Sequence, residues 1–341
     1  MAAHRHTNHT PSRVTMISAL VGLFAGALVA GGYAAGAQTP QPNTPGDRRM
    51  TAIAAPQPSG CITAVSPGEH IFTCDDLTYV AVIDERCTRL SCGLILDIHG
   101  AGMSARSMRD ATELHKLAPR QGYLVVHPSA RPENEGGSWD LARDPARMRA
   151  FVDLMTSVFH VDRSRIHITG FSMGAAMTFA FLCHHTDILA STAVVTGSSA
   201  DQVRAPGGDR RCIEAIDAAW QPRVPIFFMN GVHDPALTRD AARARTEGIV
   251  SRLGLTGGTP IAGDAHYTRR RWTGEGDMTF DFLEHDYSTE GMLGGHCMPR
   301  GSRLPGAPDT LPANGVVCTT GSPTVHWGEL ALQWFAEHPK P

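Results

Sequence analysis

The chain has 341 residues, of which 42% are hydrophobic, so it holds enough apolar material for one large core. Charged residues make up 18% of the sequence, and the formal net charge is −3. This balance argues against a nucleic-acid-binding protein and against a polybasic membrane-binding protein. It favours a soluble domain of the size of an enzyme.

The first residues have the pattern of a secretory signal peptide. A weakly basic start with Arg5 and Arg13 precedes an apolar run over residues 16–35, and small residues follow at the expected cleavage site, 35–37. We therefore expect residues 1–37 to be removed and the mature protein to be secreted, extracellular or periplasmic, without stable membrane association. The alternative is an uncleaved anchor, because the run is just long enough to span a bilayer.

The next segment, residues 38–60, is polar and rich in proline, which predicts a flexible lead-in to a single domain over 61–341. The chain has eight cysteines, and an even number behind an export signal indicates disulfide bonds. Many pairings are possible, and nearest-neighbour pairing would give Cys61–Cys74, Cys87–Cys92, Cys183–Cys212 and Cys297–Cys318. A zinc site is the competing interpretation, but no Cys-x-x-Cys pair is present, and we expect no bound metal.

Predicted strands alternate with predicted helices along the domain. Apolar, partly β-branched stretches predict strands at 77–83, 94–98, 123–127 (ended by Pro128), 165–169, 193–195, 226–229 and 279–283. Apolar spacing and helix-forming residues predict helices at 104–119, 148–159, 175–183, 239–253 and 329–336. This alternation predicts a mainly parallel sheet covered on both faces, with reactive groups on loops at the carboxyl ends of strands.

A candidate nucleophile lies between a predicted strand and a predicted helix. Gly170-Phe171-Ser172-Met173-Gly174 matches Gly-x-Ser-x-Gly, a pattern that is weak alone but requires this strand–turn–helix setting. The glycines let the strand and the helix approach each other around a sharp turn. The turn would expose the hydroxyl of Ser172 and direct the helix N-terminus at developing negative charge. We therefore expect Ser172 to be a catalytic nucleophile.

A serine nucleophile needs a base, and in this fold class the chain order is serine, acid, histidine. Asp234 follows the strand 226–229, where an acid can orient an imidazole, whereas Asp240 lies inside a predicted helix and is the weaker candidate. His296 lies in a Gly-rich loop after 279–283 and is the predicted base. Its rival is His326, whose place at the start of the last helix favours a structural, capping role.

The negative charge formed during acyl transfer requires backbone amide donors, the oxyanion hole. One amide is expected from the residue after the nucleophile, Met173. The other is expected from the Gly-rich loop that follows the strand 94–98, with Ala101 as first choice and Gly102 as second.

Together these segments resemble the secreted polyhydroxybutyrate depolymerase and feruloyl esterase group of α/β-hydrolases. The resemblance covers the chain from Leu77 to its end, and the segments that carry it are 96–100, 122–126, 138–140, 161–174, 231–234 and 294–299. It implies an α/β-hydrolase fold, an acyl-enzyme mechanism without a cofactor, and a triad of Ser172, Asp234 and His296. It also implies that Trp139 and His99 lie near the substrate, although a buried structural role is equally open for Trp139.

The resemblance predicts a secreted serine esterase that cleaves hydroxyalkanoate polyesters or their oligomers. Feruloyl or acetyl esters of plant cell walls are the alternative substrates. A serine peptidase and a non-catalytic secreted binding protein are the alternatives from other classes. The expected partner is a small or polymeric ester, with no nucleic acid, and the sequence leaves the oligomeric state open.

Overall fold

The structure is a computed structural model that describes residues 54–133, 135–197, 224–300 and 316–341. The predicted signal peptide and most of the predicted lead-in lie outside these residues, so the boundaries at 37 and 60 remain predictions. In the described ranges, none of the helices has the length and apolarity that crossing a membrane requires.

The described residues form a sheet of ten strands in the order β1-β2-β4-β3-β5-β6-β7-β10-β9-β8. The strands are β1 (Gly68–Cys74), β2 (Leu77–Ile83), β3 (Cys92–Ile98), β4 (Tyr123–Ser129), β5 (Val161–Phe171), β6 (Ser191–Val195), β7 (Ile226–Gly231), β8 (Thr256–Gly263), β9 (Tyr267–Thr273) and β10 (Thr279–His285). Neighbours from β4 to β10 pair in parallel, whereas the strands at both edges pair antiparallel. The predicted mainly parallel sheet is therefore confirmed.

Helices pack on both faces of this sheet. They are α1 (Ala105–Thr112), α2 (Leu114–Leu117), α3 (Asp144–Val158), α4 (Met173–His185), α5 (Arg239–Arg252) and α6 (Trp327–Glu337). Side chains alternate along each buried strand, so Leu94 packs in one core cluster with α3 and α4, and Ile95 packs in the other with α1, α2 and α6. Two apolar layers thus hold the sheet from both sides.

The prediction of one helix over 104–119 is wrong. The helix begins as predicted, with the side chain of Ser104 capping the amide of Ser107, but it breaks at Glu113, where φ is 54°. A left-handed residue ends α1 and redirects the chain into α2. The carboxylate of Glu113 is buried, pairs with Lys116 and Arg300, and accepts a hydrogen bond from His326.

One prediction about a strand is also wrong, and three strands were not predicted. Pro128 does not end β4, which runs on to Ser129. Pairing with β3 stops at Val126. No residue of β3 therefore lies opposite Pro128 to accept the backbone N–H that proline lacks. The antiparallel strands β1, β8 and β9 were not predicted, and β8 contains the turn-forming sequence Thr-Gly-Gly-Thr-Pro.

The disulfides Cys61–Cys74, Cys87–Cys92 and Cys297–Cys318 are present. These are three of the four nearest-neighbour pairs, and Cys212 of the fourth lies outside the described residues. Cys297–Cys318 joins the loop after β10 to the segment before α6. It therefore fixes the chain next to the predicted base, His296.

Backbone hydrogen bonds join the carboxyl ends of four neighbouring strands. The amide of Ser172, after β5, donates to the carbonyl of Val195 on β6 (3.0 Å), and the amide of Thr196 donates to Met229 on β7 (2.8 Å). The amide of Val232, after β7, donates to His285 on β10 (2.8 Å). The loops that carry the predicted serine, acid and histidine therefore leave the sheet at one place.

Candidate active site

Ser172 occupies a strained turn between β5 and α4. Its φ is 55° and its ψ is −116°, a conformation that residues with a side chain rarely adopt. The turn is held because the Ser172 amide donates to Val195 and its carbonyl accepts the amides of Ala175 (3.0 Å) and Ala176 (3.2 Å). The half-buried side chain thus stands at the end of β5, where the sequence predicted it.

The glycines of the motif are required by contacts between backbones. A Cβ atom on Gly170 would overlap the carbonyl of Gly174, and a Cβ atom on Gly174 would overlap the carbonyl of Ile98 on β3. The glycines therefore bring α4 against the end of β3 as well as against its own strand. This approach places the first turn of α4 beside the loop that leaves β3.

His296 and Asp234 form a buried pair. His296 Nδ1 lies 2.8 Å from Asp234 Oδ2. Asp234 Oδ1 accepts the amides of Ala236 (2.7 Å) and Leu237 (2.8 Å), so both carboxylate oxygens are fixed. The carboxylate can hold a proton on Nδ1 and leave Nε2 free as the basic atom. The ring of Phe171, the residue before Ser172, lies 5.0 Å from the imidazole of His296 between centroids.

The surroundings of Asp234 keep it ionised. Burial alone would raise its pKa, but the hydrogen bond and charge of His296 act in the opposite direction. The Leu237 amide and the Thr196 hydroxyl lower it further, so the net pKa of Asp234 lies below its ordinary value. A carboxylate that stays charged can stabilise an imidazolium on His296 during catalysis.

Glycines also let the two loops that carry this pair touch. A Cβ atom on Gly231 would overlap the carbonyl of Gly295, and one on Gly295 would lie 2.8 Å from the Asp234 amide. The amide of Gly295 donates to the carbonyl of His233 (3.0 Å). The Cys297–Cys318 disulfide lies directly after the histidine. The residue before His296 is thus held by a backbone hydrogen bond, and the residue after it is held by a disulfide bond.

The amides of the loop after β3 differ in their hydrogen bonds. The Gly102 amide donates to the carbonyl of Gly137 (2.8 Å), and the Met103 amide donates to Gly100 (3.1 Å). Among the described backbone hydrogen bonds outside helices and strands, none is donated by the amide of Ala101. Met173 is the first residue of α4, so its amide has no acceptor within its own helix. This arrangement favours Ala101 over Gly102 as the partner of Met173.

His99 and Trp139 are buried under this loop. The indole Nε1 of Trp139 donates to the carbonyl of His99 (2.8 Å), and the two rings lie 4.5 Å apart between centroids. The Nδ1 of His99 donates to the carbonyl of Gly100 (2.7 Å), and burial lowers the pKa of His99 to about 4, so the ring is neutral. Both side chains support the loop, and their contact with substrate remains a prediction.

The rival residues lie elsewhere. Asp240 is exposed in the first turn of α5. His326 is the N-cap of α6: its Nδ1 accepts the amide of Glu329 (3.4 Å), and its Nε2 lies 3.1 Å from Glu113. The capping role predicted for His326 agrees with these contacts.

The sequence analysis missed Thr196. It follows β6 directly, is buried, and places its Oγ1 2.6 Å from His296 Nδ1. The sequence signal was its position after a predicted strand, because the carboxyl ends of parallel strands meet at one edge.

Among the described residues, no three His, Cys, Asp or Glu side chains are grouped so that they could hold a metal ion.

Comparison with known proteins gives distant relatives. No family model matches the chain. It is 25% identical over 146 residues to a bifunctional acetylxylan esterase/xylanase of Neocallimastix patriciarum, covering 42% of this chain and 19% of that protein. It is 26% identical over 146 residues to poly(3-hydroxyalkanoate) depolymerase C of Paucimonas lemoignei, covering 37% and 34% of the two chains. The chain thus spans well under half of either relative.

A longer match joins the chain to a probable feruloyl esterase C of Aspergillus terreus, with 24% identity over 227 residues, 63% of this chain and 74% of that one. Among solved structures, an acetyl xylan esterase from Aspergillus awamori superposes with a TM-score of 0.50 at 16% identity, covering 64% of this chain and 92% of that chain. This likeness shows the fold, and the chain has the α/β-hydrolase fold. The predicted resemblance to the polyhydroxybutyrate depolymerase and feruloyl esterase group is confirmed by these relatives.

Proposed function

We propose that this protein is a secreted serine hydrolase of carboxylic esters, with Ser172 as nucleophile, His296 as base and Asp234 as the residue that orients the base. The observation that carries the proposal is the buried His296–Asp234 pair, 2.8 Å apart, at the strand ends beside the strained turn of Ser172. The relatives, whose names describe ester hydrolases, support the same reaction class.

The reaction proceeds in two steps. The Oγ of Ser172 attacks the ester carbonyl carbon while Nε2 of His296 takes the hydroxyl proton, and the amides of Ala101 and Met173 donate to the oxyanion. His296 then gives that proton to the leaving alcohol, which leaves an acyl group on Ser172. Water attacks the acyl group with His296 again as base, and the acid product and free Ser172 are released. The residues require no cofactor for these steps.

Within the esters, we propose hydroxyalkanoate polyester or its oligomers as substrate. The Paucimonas lemoignei relative is named as a depolymerase of such polymers. The Neocallimastix patriciarum and Aspergillus terreus relatives are named as acetylxylan and feruloyl esterases, which favours plant cell-wall esters as the second candidate.

The test is hydrolysis of p-nitrophenyl esters of increasing acyl length by the wild type and by Ser172→Ala. We expect the variant to lose at least about a thousandfold in kcat, because removing the nucleophile leaves only the oxyanion donors and substrate binding. Ser157→Ala is the matched control, since this exposed serine lies near the end of α3 and bonds only the Leu154 carbonyl. It should retain full activity.

Equal rates for the wild type and Ser172→Ala, with folding unchanged by circular dichroism, would withdraw the triad. If the serine is confirmed, clearing of a polyhydroxybutyrate film is compared with release of acetate and ferulate from cell-wall esters. Film clearing without acetate or ferulate release supports the polyester proposal, and the reverse result supports the second candidate.

Mass spectrometry of the secreted chain tests export, since a mature protein that retains Met16 would contradict cleavage after residue 37.

A further inference from the structure

Thr196 is fixed between the strands that carry the proposed nucleophile and the proposed acid. Its amide donates to the carbonyl of Met229 on β7 (2.8 Å), and the carbonyl of the preceding residue, Val195, accepts the amide of Ser172 (3.0 Å). The end of β6 is therefore tied to both neighbouring loops. A side chain at this position has little freedom to move relative to either.

The backbone of Thr196 is strained. Its φ is 41°, in the left-handed region, which β-branched residues avoid. Such a conformation costs conformational energy and persists only where the surroundings determine it. The next residue is Gly197, on which a Cβ atom would overlap Ala175 of α4. The strain therefore lies where the chain must turn sharply beside the start of α4.

The side chain of Thr196 reaches both members of the His–Asp pair. The residue is 1% exposed, and its Oγ1 lies 2.6 Å from His296 Nδ1. The same hydroxyl is one of the groups that lower the pKa of Asp234, so it lies close to that carboxylate. The three groups form a compact triangle, with His296 Nδ1 also 2.8 Å from Asp234 Oδ2.

The protons of this triangle can be assigned. His296 acts as base through Nε2, so Nδ1 carries the proton and can only donate. The hydroxyl of Thr196 therefore accepts part of that hydrogen bond, and its own hydrogen is available for donation to the nearby carboxylate of Asp234, which is ionised and can only accept. In this arrangement the hydroxyl oxygen faces the Nδ1–H of the imidazole, and it still does so when the ring becomes an imidazolium.

We propose that Thr196 is a fourth, positioning residue of this site, whose hydroxyl fixes Asp234 and the Nδ1 edge of His296 so that Nε2 stays directed at Ser172. This role rests on the proposed function of Ser172, His296 and Asp234. Thr196 does not touch the substrate. Its effect should appear in kcat rather than in KM, because it changes the base and not the binding of the ester.

The experiment compares Thr196→Val, which keeps the branched shape but lacks the hydroxyl, with Thr196→Ser, which keeps the hydroxyl. With a p-nitrophenyl ester, we expect Thr196→Val to lose roughly tenfold or more in kcat with KM within about twofold, from the loss of a hydrogen bond to a charged group. Thr196→Ser should keep most of the wild-type kcat. In proton NMR, the low-field Nδ1–H signal of His296 should move in Thr196→Val and stay in place in Thr196→Ser.

Wild-type kcat and an unmoved Nδ1–H signal in Thr196→Val would overturn the proposal, as would equal losses in the valine and serine variants. Thr196→Ala, which has no branch to crowd the left-handed backbone, repeats the comparison if valine disturbs folding. Failure of the proposed function looks different: the wild type and Ser172→Ala would then hydrolyse esters equally. The NMR signal would still decide whether Thr196 contacts the pair.

Discussion

Two residues at the carboxyl ends of neighbouring strands hold positive φ angles, 55° at Ser172 and 41° at Thr196. Neither is glycine, so each costs conformational energy that the surrounding structure must offset. The offset comes from the backbone hydrogen bonds between strand ends, from the bond between Asp234 and His296, and from close backbone contacts at glycine. At these two strand ends, backbone strain and hydrogen bonding thus occur together, as they often do at functional sites.

The close contacts of Gly174 give a test at this scale. Gly174→Ala would place a Cβ atom against the carbonyl of Ile98, so α4 or β3 must shift. We expect a loss of about 1–3 kcal/mol in the free energy of unfolding, together with loss of activity, because the Ala101 loop follows β3. Urea denaturation and ester hydrolysis measure the two effects.

Gly248→Ala is the control for this substitution. Gly248 lies inside α5 with no atom near its missing Cβ, so alanine should stabilise the protein by roughly 0.5–1 kcal/mol through helix propensity. If both variants changed stability equally, the crowding at Gly174 would have no energetic importance.

The residues of the site differ in how well the sequence predicted them. Ser172, Asp234 and His296 follow strands and belong to recognisable motifs, so their places could be predicted. Thr196 belongs to no motif, and its contact with His296 spans 100 residues of sequence. Only the side-by-side order of β5, β6 and β7 brings it there, and periodicity predicts strands but not their order.

At the scale of whole elements, Glu113 joins three of them. It ends α1 in a left-handed conformation, and its buried carboxylate lies 2.6 Å from Arg300 and 3.1 Å from His326. Arg300 follows the His296 loop, and His326 caps α6. The break in the predicted helix therefore places one buried carboxylate against the segment that follows the His296 loop and against the start of α6.

Replacing Glu113 by glutamine should weaken this junction. The change leaves Arg300 without its buried counter-charge and weakens the hydrogen bond that His326 Nε2 donates, and we expect a loss of roughly 3 kcal/mol in the free energy of unfolding. Urea denaturation at neutral pH measures it. Glu85→Gln is the control, because its exposed pair with Arg89 should change stability by less than about 0.5 kcal/mol.

The same carboxylate predicts a pH dependence. Burial would raise the pKa of Glu113, but Lys116, Arg300 and His326 lower it to about 2 from an ordinary value of 4.5. The folded state therefore binds fewer protons than the unfolded state between these values, and stability falls as the pH drops from 4.5 towards 2. Denaturation across this range should show a smaller loss in Glu113→Gln than in the wild type. Parallel curves would contradict the assignment.

The prediction of strands succeeded where burial determines the pattern of apolar residues in the sequence, and it failed where the strand is exposed. The strands β2, β3, β4, β6, β7 and β10 and the second half of β5 are buried almost throughout, and the apolar residues that this burial requires identify them. β8 is almost wholly exposed and carries Gly257, Gly258 and Pro260. These residues predict a turn, yet at the edge of a sheet they discourage pairing with another chain. The residues that protect an edge strand from pairing with another chain are therefore the same residues that make it difficult to predict from sequence.

At the scale of the whole molecule, the disulfides hold different parts of the fold. Cys61–Cys74 ties the segment before β1 to the end of that strand, and Cys87–Cys92 closes the turn before β3. Cys297–Cys318 lies at the opposite end of the sheet from Cys92, beside the proposed base. Their removal should therefore separate stability from activity.

Replacing Cys297 and Cys318 by alanine should affect both properties. The bond spans 21 residues, so its loss should cost roughly 3 kcal/mol in the chain-entropy account. It also frees the loop on the C-terminal side of His296, so kcat should fall at temperatures where the protein remains folded. Replacing Cys87 and Cys92 removes a bond that spans 5 residues at the far end of β3, and we expect kcat to be unchanged. Circular dichroism melting and ester hydrolysis on the same samples make the comparison. If both double variants kept the wild-type kcat while folded, the hydrogen bonds of His296 with Asp234 and Thr196 would be sufficient to position it without the covalent bond.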